Sequence, residues 1–212
     1  MKNIKGIIFD LDGVICFTDH YHYLAWKVLA DKLEIYFDET INNRLRGVSR
    51  MESLNIILER SDKEYSQEEK EIFANEKNEI YRKYLLEMSS KDLSDEVKNT
   101  LIELRNRGYL LAIGSSSKNT KTILKQIGLG DFFDAISDGN NITNSKPDPE
   151  VFLKAAEFIN LKPCDCVVVE DAIAGIEAAF NGGFTSVGIL DAKKNKHCDY
   201  NIDNFSDLLN IL

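Results

Sequence analysis

The stretch Gly6-Ile7-Ile8-Phe9-Asp10-Leu11-Asp12-Gly13-Val14 decides how the rest of the chain is read. An apolar run stops abruptly at two carboxylates spaced two apart, and a glycine follows. Residues 4–10 are predicted as a buried strand. Strand side chains alternate with a period of two, so Asp10 and Asp12 are expected on the same side of its carboxyl end. Open α/β sheets place their ligand crevice at that edge. Two acids crowded there repel each other, so a cation, a shared proton or a phosphate-binding counter-charge has to make the arrangement tolerable.

Outward from this motif, two textures alternate. Short apolar strands are predicted over 110–114, 135–137, 166–170 and 185–189, with amphipathic helices over 95–107, 118–128, 149–160 and 172–182 between them. Strand–helix alternation of this kind predicts an α/β, Rossmann-like parallel sheet with helices on both faces. Residues 17–88 differ. They carry helical patterns over 20–34, 38–45, 50–60 and 66–88, hold no proline, and have Gly47 as their one glycine. The expected organisation is therefore an α/β core of residues 1–16 and 89–212 with an inserted α-helical cap domain, 17–88, over the crevice. The charges crowded into 61–80 read as a solvated helix face.

Composition narrows the function classes. At 212 residues, 43% hydrophobic and 29% charged, the chain suits one large domain or a core with a smaller appended one. A net charge of −9 makes nonspecific nucleic-acid binding a poor fit. No apolar run approaches the ~20 residues needed to cross a bilayer. Met1-Lys2-Asn3-Ile4-Lys5 leads into the strand without a signal-peptide apolar region. The four cysteines (Cys16, Cys164, Cys166 and Cys198) show neither a disulfide framework nor zinc-ribbon spacing, and read as reduced thiols. A cytoplasmic, monomeric protein is expected.

Three further signals fall at the ends of predicted strands. Ser115-Ser116-Ser117-Lys118-Asn119 opens a helix with hydroxyls and free N–H groups suited to an anion, although serine runs also serve as plain N-caps. In Asn144-Ser145-Lys146-Pro147-Asp148-Pro149 the prolines fix a loop and restrict Lys146. That lysine reads either as an ordinary loop lysine or as a cation for a carboxylate pair or a transferring phosphoryl group. Glu170-Asp171 reads as a helix cap or, combined with Asp10 and Asp12, as an oxygen-rich cage for Mg²⁺.

In this order the four elements resemble the haloacid dehalogenase superfamily of phosphotransferases. Within it the cap resembles the β-phosphoglucomutase family, through Thr18-Asp19-His20-Tyr21-His22 with Trp26, Arg46-Gly47-Val48-Ser49-Arg50 with Ser53, and Lys77-Asn78. The resemblance implies that Asp10 is the nucleophile and Asp12 the general acid and base. Ser115 and Lys146 would hold the transferring phosphoryl group. Mg²⁺ would sit on the Asp10 carboxylate, the Asp12 carbonyl, Glu170 and Asp171. Arg50 would grip the other phosphate, with Ser117 and Asn119 assisting and Ser116 and Lys118 in the same turn. Thr18, His22, Trp26, Gly47, Val48, Ser49, Ser53 and Lys77 would complete substrate binding and the hinge network. For Thr18, His22 and Lys77 the plainer readings are a helix cap, a packed histidine and a surface lysine.

The activity so implied is the Mg²⁺-dependent interconversion of β-D-glucose 1-phosphate and D-glucose 6-phosphate. It would run through an aspartyl-phosphate and a β-glucose 1,6-bisphosphate. The alternatives are a phosphatase acting on sugar phosphates or, more remotely, a noncatalytic sugar-phosphate-binding protein. Cys16-Phe17 stands where close relatives carry a threonine–aspartate pair, at the first hinge.

Overall fold

The computed structural model describes residues 3–45 and 48–212. Six strands form one sheet: β1 (Gly6–Phe9), β2 (Leu110–Gly114), β3 (Ala135–Ser137), β4 (Cys166–Glu170), β5 (Thr185–Gly188) and β6 (Tyr200–Asn201). Their order is β3-β2-β1-β4-β5-β6 and every pairing is parallel. The β-branched runs Ile7-Ile8 and Val167-Val168-Val169 supply the centre. All of β1 and β4 is buried, as a parallel sheet covered on both faces requires. The strand order reverses between β1 and β4, and doubly wound sheets bind their ligands at the carboxyl edge of such a switch point.

The helices are α1 (Asp19–Lys32), α2 (Glu39–Asn43), α3 (Arg50–Leu58), α4 (Gln67–Leu85), α5 (Asp95–Asn106), α6 (Thr120–Gln126), α7 (Glu150–Phe158), α8 (Ile173–Asn181) and α9 (Leu208–Ile211). By their contacts the residues divide into two compact units, Met1–Phe17 with Met88–Leu212, and Thr18–Glu87. In the α/β unit, Ile8, Ala112 and Val168 on one sheet face pack under Val151, Phe152 and Ala155 of α7 and Ala178 and Ala179 of α8. On the other face, Phe9 meets Phe133 and Phe205 with ring centroids 6.3 and 5.7 Å apart. Each fully buried Val, Ile or Phe contributes about 1.5–3 kcal/mol to this core.

The helical unit has a core of its own, in which Trp26, Leu29 and Ala30 of α1 meet Leu54 and Ile57 of α3 and Ala74 of α4. Its longest helix, α4, opens on a capping box: Ser66 Oγ accepts from the Glu69 N–H, and the Glu69 carboxylate accepts from the Ser66 N–H. Glu68 and Glu69 in its first turn and Arg82 and Lys83 in its last also suit the helix dipole.

Some details differ from expectation. The first strand ends at Phe9, before Asp10, so the period-two argument does not place Asp12. A tight turn does so, in which Gly13 N–H donates to the Cys16 carbonyl and Cys16 N–H to that of Leu11. The edge strand β6 was not anticipated, because its two residues are exposed and carry no apolar pattern.

Candidate active site

The site is assembled at the carboxyl ends of β1 and β4. Phe9 and Val169 are register partners, and the Asp10 N–H extends the ladder to the Val169 carbonyl at 2.9 Å. Asp10 therefore stands beside Glu170. Lys146, far along the chain, arrives from the loop after β3. Its Nζ lies 2.5 Å from Asp10 Oδ1 and 2.6 Å from Glu170 Oε1, with all three side chains under 10% exposed. Glu170 Oε2 accepts from the Ala172 N–H at 2.7 Å, at the start of α8, where the helix dipole favours an anion.

Asp10, Glu170 and Asp171 each offer an oxygen, all within 4.8 Å of one another. One ammonium against three carboxylates leaves an excess of negative charge out of water. Burial, first of all, and then the neighbouring carboxylate of Glu170 raise the Asp171 carboxyl to about 9. Burial likewise raises Asp10, although the Lys146 charge opposes it. Lys146 moves up as well, because the Asp10 and Glu170 charges outweigh its own desolvation. An all-oxygen donor set with this surplus charge matches a hard divalent cation.

Two glycines make room for these acids. Gly13 has φ +85°, and a Cβ on it would lie 2.2 Å from Asp171 Oδ2. A Cβ on Gly175 would lie 2.0 Å from both Cδ and Oε1 of Glu170.

At the end of β2 the serine turn folds on itself. Ser115 Oγ accepts from the Ser117 N–H, and Ser117 Oγ accepts from the Asn119 N–H, each at 3.2 Å. The loop after β3 braces it from behind: Gly139 N–H donates to the Ser117 carbonyl and Asn140 Nδ2 to that of Lys118. Asp138 organises this brace through Oδ1, which accepts from the Asn140 N–H at 2.8 Å. Ser115 is buried, Ser116 and Ser117 are half-buried, and Lys118 is exposed.

In the helical unit, Lys77 is 2% exposed and therefore no surface lysine. Its Nζ lies 2.8 Å from His22 Nδ1 and 4.6 Å from the ring centroids of both Trp26 and Tyr81. An ammonium has no acceptor, so His22 Nδ1 accepts and its proton resides on Nε2. Burial, then the charges of Lys77 and Arg50, hold the imidazole well below its ordinary range, and it is neutral at pH 7. His22 also stacks on Tyr81 with centroids 4.0 Å apart. Thr18 is buried and sits at the N-cap position of α1 without capping it through its side chain. Ser49 caps α3 by accepting from the Glu52 N–H. Arg50 opens that helix, half-buried like Val48, and Ser53 is buried one turn on. Gly47 and its neighbour Arg46 lie outside the described residues.

Several contributors escaped the sequence reading. Tyr81 follows Lys77 by four residues on α4, a spacing that does signal a shared helix face. Asn140 and Glu150 act through backbone groups elsewhere in the chain, which no local pattern reveals, and Asp138 acts through the Asn140 N–H of its own loop. Among the cysteines, burial pushes the Cys16 thiol far up and Cys166 to about 12, and all four are free. These two buried thiols are unreactive.

The family model for haloacid dehalogenase-like hydrolases matches residues 4–183. This chain belongs to that family. As a haloacid dehalogenase-like protein it is an enzyme, and its relatives include enzymes of two activities. It is 38% identical to the β-phosphoglucomutase of Bacillus subtilis over 97% of this chain and 92% of that one. A crystal structure of the β-phosphoglucomutase of Clostridium difficile superposes with a TM-score of 0.90 at 40% identity, covering 97% of this chain and 93% of that one. The fructose-1-phosphate phosphatase of Escherichia coli is 30% identical over 89% of this chain and 97% of that one. Among the described residues no helix is long and apolar enough to cross a membrane.

Proposed function

We propose that this haloacid dehalogenase-like enzyme is a Mg²⁺-dependent β-phosphoglucomutase. It would interconvert β-D-glucose 1-phosphate and D-glucose 6-phosphate through an aspartyl-phosphate on Asp10 and a β-glucose 1,6-bisphosphate. The observation that carries this reading is the likeness to β-phosphoglucomutases, which runs through both the α/β and the helical unit at 38% identity. In this reading the helical unit is the cap, and the enzyme works as a cytoplasmic monomer on a small sugar phosphate.

The chemistry of the residues divides the labour. Asp10 Oδ1 is engaged by Lys146, so Oδ2 is the oxygen to attack phosphorus. Ser115 Oγ already accepts from Ser117, and its hydroxyl hydrogen is directed to a phosphoryl oxygen. Lys146 neutralises charge on the same group. Asp12 is only partly buried and lies outside the three-carboxylate cluster, which suits a group that carries a proton between sugar oxygens. Asp10, Glu170, Asp171 and the Asp12 carbonyl would hold Mg²⁺, which when bound disperses the charge of phosphoryl transfer. Arg50, Ser117, Lys118 and Asn119 would hold the second phosphate, arginine's planar fork tolerating both orientations of the bisphosphate. Thr18, His22, Trp26 and Lys77, with Val48, Ser49 and Ser53, would couple substrate binding to closure of the cap.

The test is incubation with β-glucose 1-phosphate, Mg²⁺ and a trace of the 1,6-bisphosphate, following glucose 6-phosphate and free phosphate together. Glucose 6-phosphate formed without matching phosphate release supports the mutase. Phosphate released in step with substrate loss supports the second reading, a sugar-phosphate phosphatase. That reading draws on the likeness to the fructose-1-phosphate phosphatase.

A further inference from the structure

Lys146 reaches Asp10 and Glu170 from a partly exposed loop, and the backbone under such a loop has to be held for its lysine to be placed. The holding group is on α7. Glu150 Oε2 accepts two hydrogen bonds from outside its own helix, from the N–H groups of Thr143 at 2.9 Å and Asn144 at 2.8 Å. Its other oxygen pairs with Lys154 Nζ at 2.9 Å, and Lys154 in turn donates to the Asn141 carbonyl. The far side of the loop returns to the same residue, since Asp148 Oδ1 accepts from the Glu150 N–H at 2.9 Å. Residues 143–150 thus form a closed loop pinned at both ends to the first turn of α7, with Lys146 inside it. Of the loop residues 143–149, Lys146 alone is buried.

We propose that Glu150 is a positioning residue for phosphoryl transfer: by gripping the Thr143 and Asn144 amides it sets where the Lys146 ammonium stands between Asp10 and Glu170. This rests on the reading of Lys146 as the cation of the transfer step. The same amides, with Lys154, hold the Glu150 carboxyl down at about 2, so the grip is a carboxylate at every pH at which the fold is used. The plain alternative is that Glu150 only complements the α7 dipole as an acid in its first turn. The two differ in what an amide can replace. Both loop N–H groups converge on one oxygen, so glutamine retains the grip while losing the charge that a dipole would feel.

The experiment compares the parent with Glu150→Gln and Glu150→Ala, using Glu150→Leu if the alanine variant does not fold. Turnover of β-glucose 1-phosphate is measured alongside acetylation of Lys146 by an amine-reactive ester, quantified by peptide mass spectrometry. We expect the variant without an acceptor to lose about 10–100-fold in kcat with little change in KM, the penalty of a displacement near 1 Å. Its Lys146 should acetylate faster than the parent's, while Glu150→Gln stays within about threefold of the parent in kcat. An acceptor-free variant equal to the parent in kcat and labelling, or a glutamine variant as impaired as the alanine one, overturns the proposal. The labelling rate requires no sugar phosphate, so it decides the role of Glu150 even if the enzyme proves not to be a mutase.

Discussion

Gly175→Ala is the sharpest test of how the acidic site is built. The new methyl would start 2.0 Å from Cδ and Oε1 of Glu170 and 2.4 Å from its Cγ, where ordinary contact begins near 3.4 Å. The carboxylate must therefore retreat by about 1.4 Å. It is 1% exposed and held at 2.6 Å by Lys146 and at 2.7 Å by the Ala172 N–H, so a retreat of that size breaks at least one bond. Overpacking costs about 1–3 kcal/mol and a lost hydrogen bond to a buried charge about 1.5–3, giving a destabilisation of about 3–5 kcal/mol. In a chain of this length that lowers Tm by about 10 °C. Misdirecting Glu170 should also weaken Mg²⁺ binding about 10–100-fold. Scanning calorimetry and isothermal titration with Mg²⁺ measure both. Adding Glu170→Asp, one methylene shorter, should recover part of the Tm but not the metal affinity. A Gly175→Ala protein with parental Tm and Mg²⁺ affinity would refute the reasoning.

Two further outcomes follow from the charges. Asp171 is raised to about 9 in the folded metal-free protein and has an ordinary value near 4 when unfolded, so the folded state binds the extra proton between these limits. Its contribution to metal-free stability therefore falls as pH rises from about 4 to 9, and a cation binding through Asp171 would have to displace that proton. Titrations in buffers of different ionisation enthalpy should show proton release at pH 7 and an affinity that climbs towards pH 9; a pH-independent affinity contradicts this. In the helical unit, Lys77→Met removes a cation that holds His22 neutral, so the His22 titration followed by NMR should move up towards its ordinary value. An unmoved titration would show that Lys77 plays no part and that burial and Arg50 set it.

Much of this was legible along the chain. The two-acid motif after an apolar run, the strand–helix alternation and the proline-bounded Lys146 loop each carry a local signature that survives without coordinates. Local patterns do not reach groups whose placement comes from elsewhere in the chain. The side of Asp12 is inferred from the period of a strand expected over 4–10, whereas the strand closes at Phe9, because apolar patterning does not show where a ladder gives way to a turn. The bonds of Glu150 to Thr143 and Asn144 leave no mark in the sequence, since a carboxylate's backbone partners are chosen by loop geometry rather than by residue type.

By itself the sequence determined the kinds of groups available and the strand ends on which they ride. Local propensity and side-chain period are properties of short segments. The tertiary structure decided which of these ends are neighbours. Only the sheet order, with β1 against β4, sets Asp10 beside Glu170. Only the packing of α7 and its loop brings Lys146 across 136 positions to within 2.5 Å of Asp10. The charge balance of one cation among three clustered carboxylates, two of them buried, which suits the cluster to a divalent cation, depends on distance and burial, and neither is written in spacing along a chain.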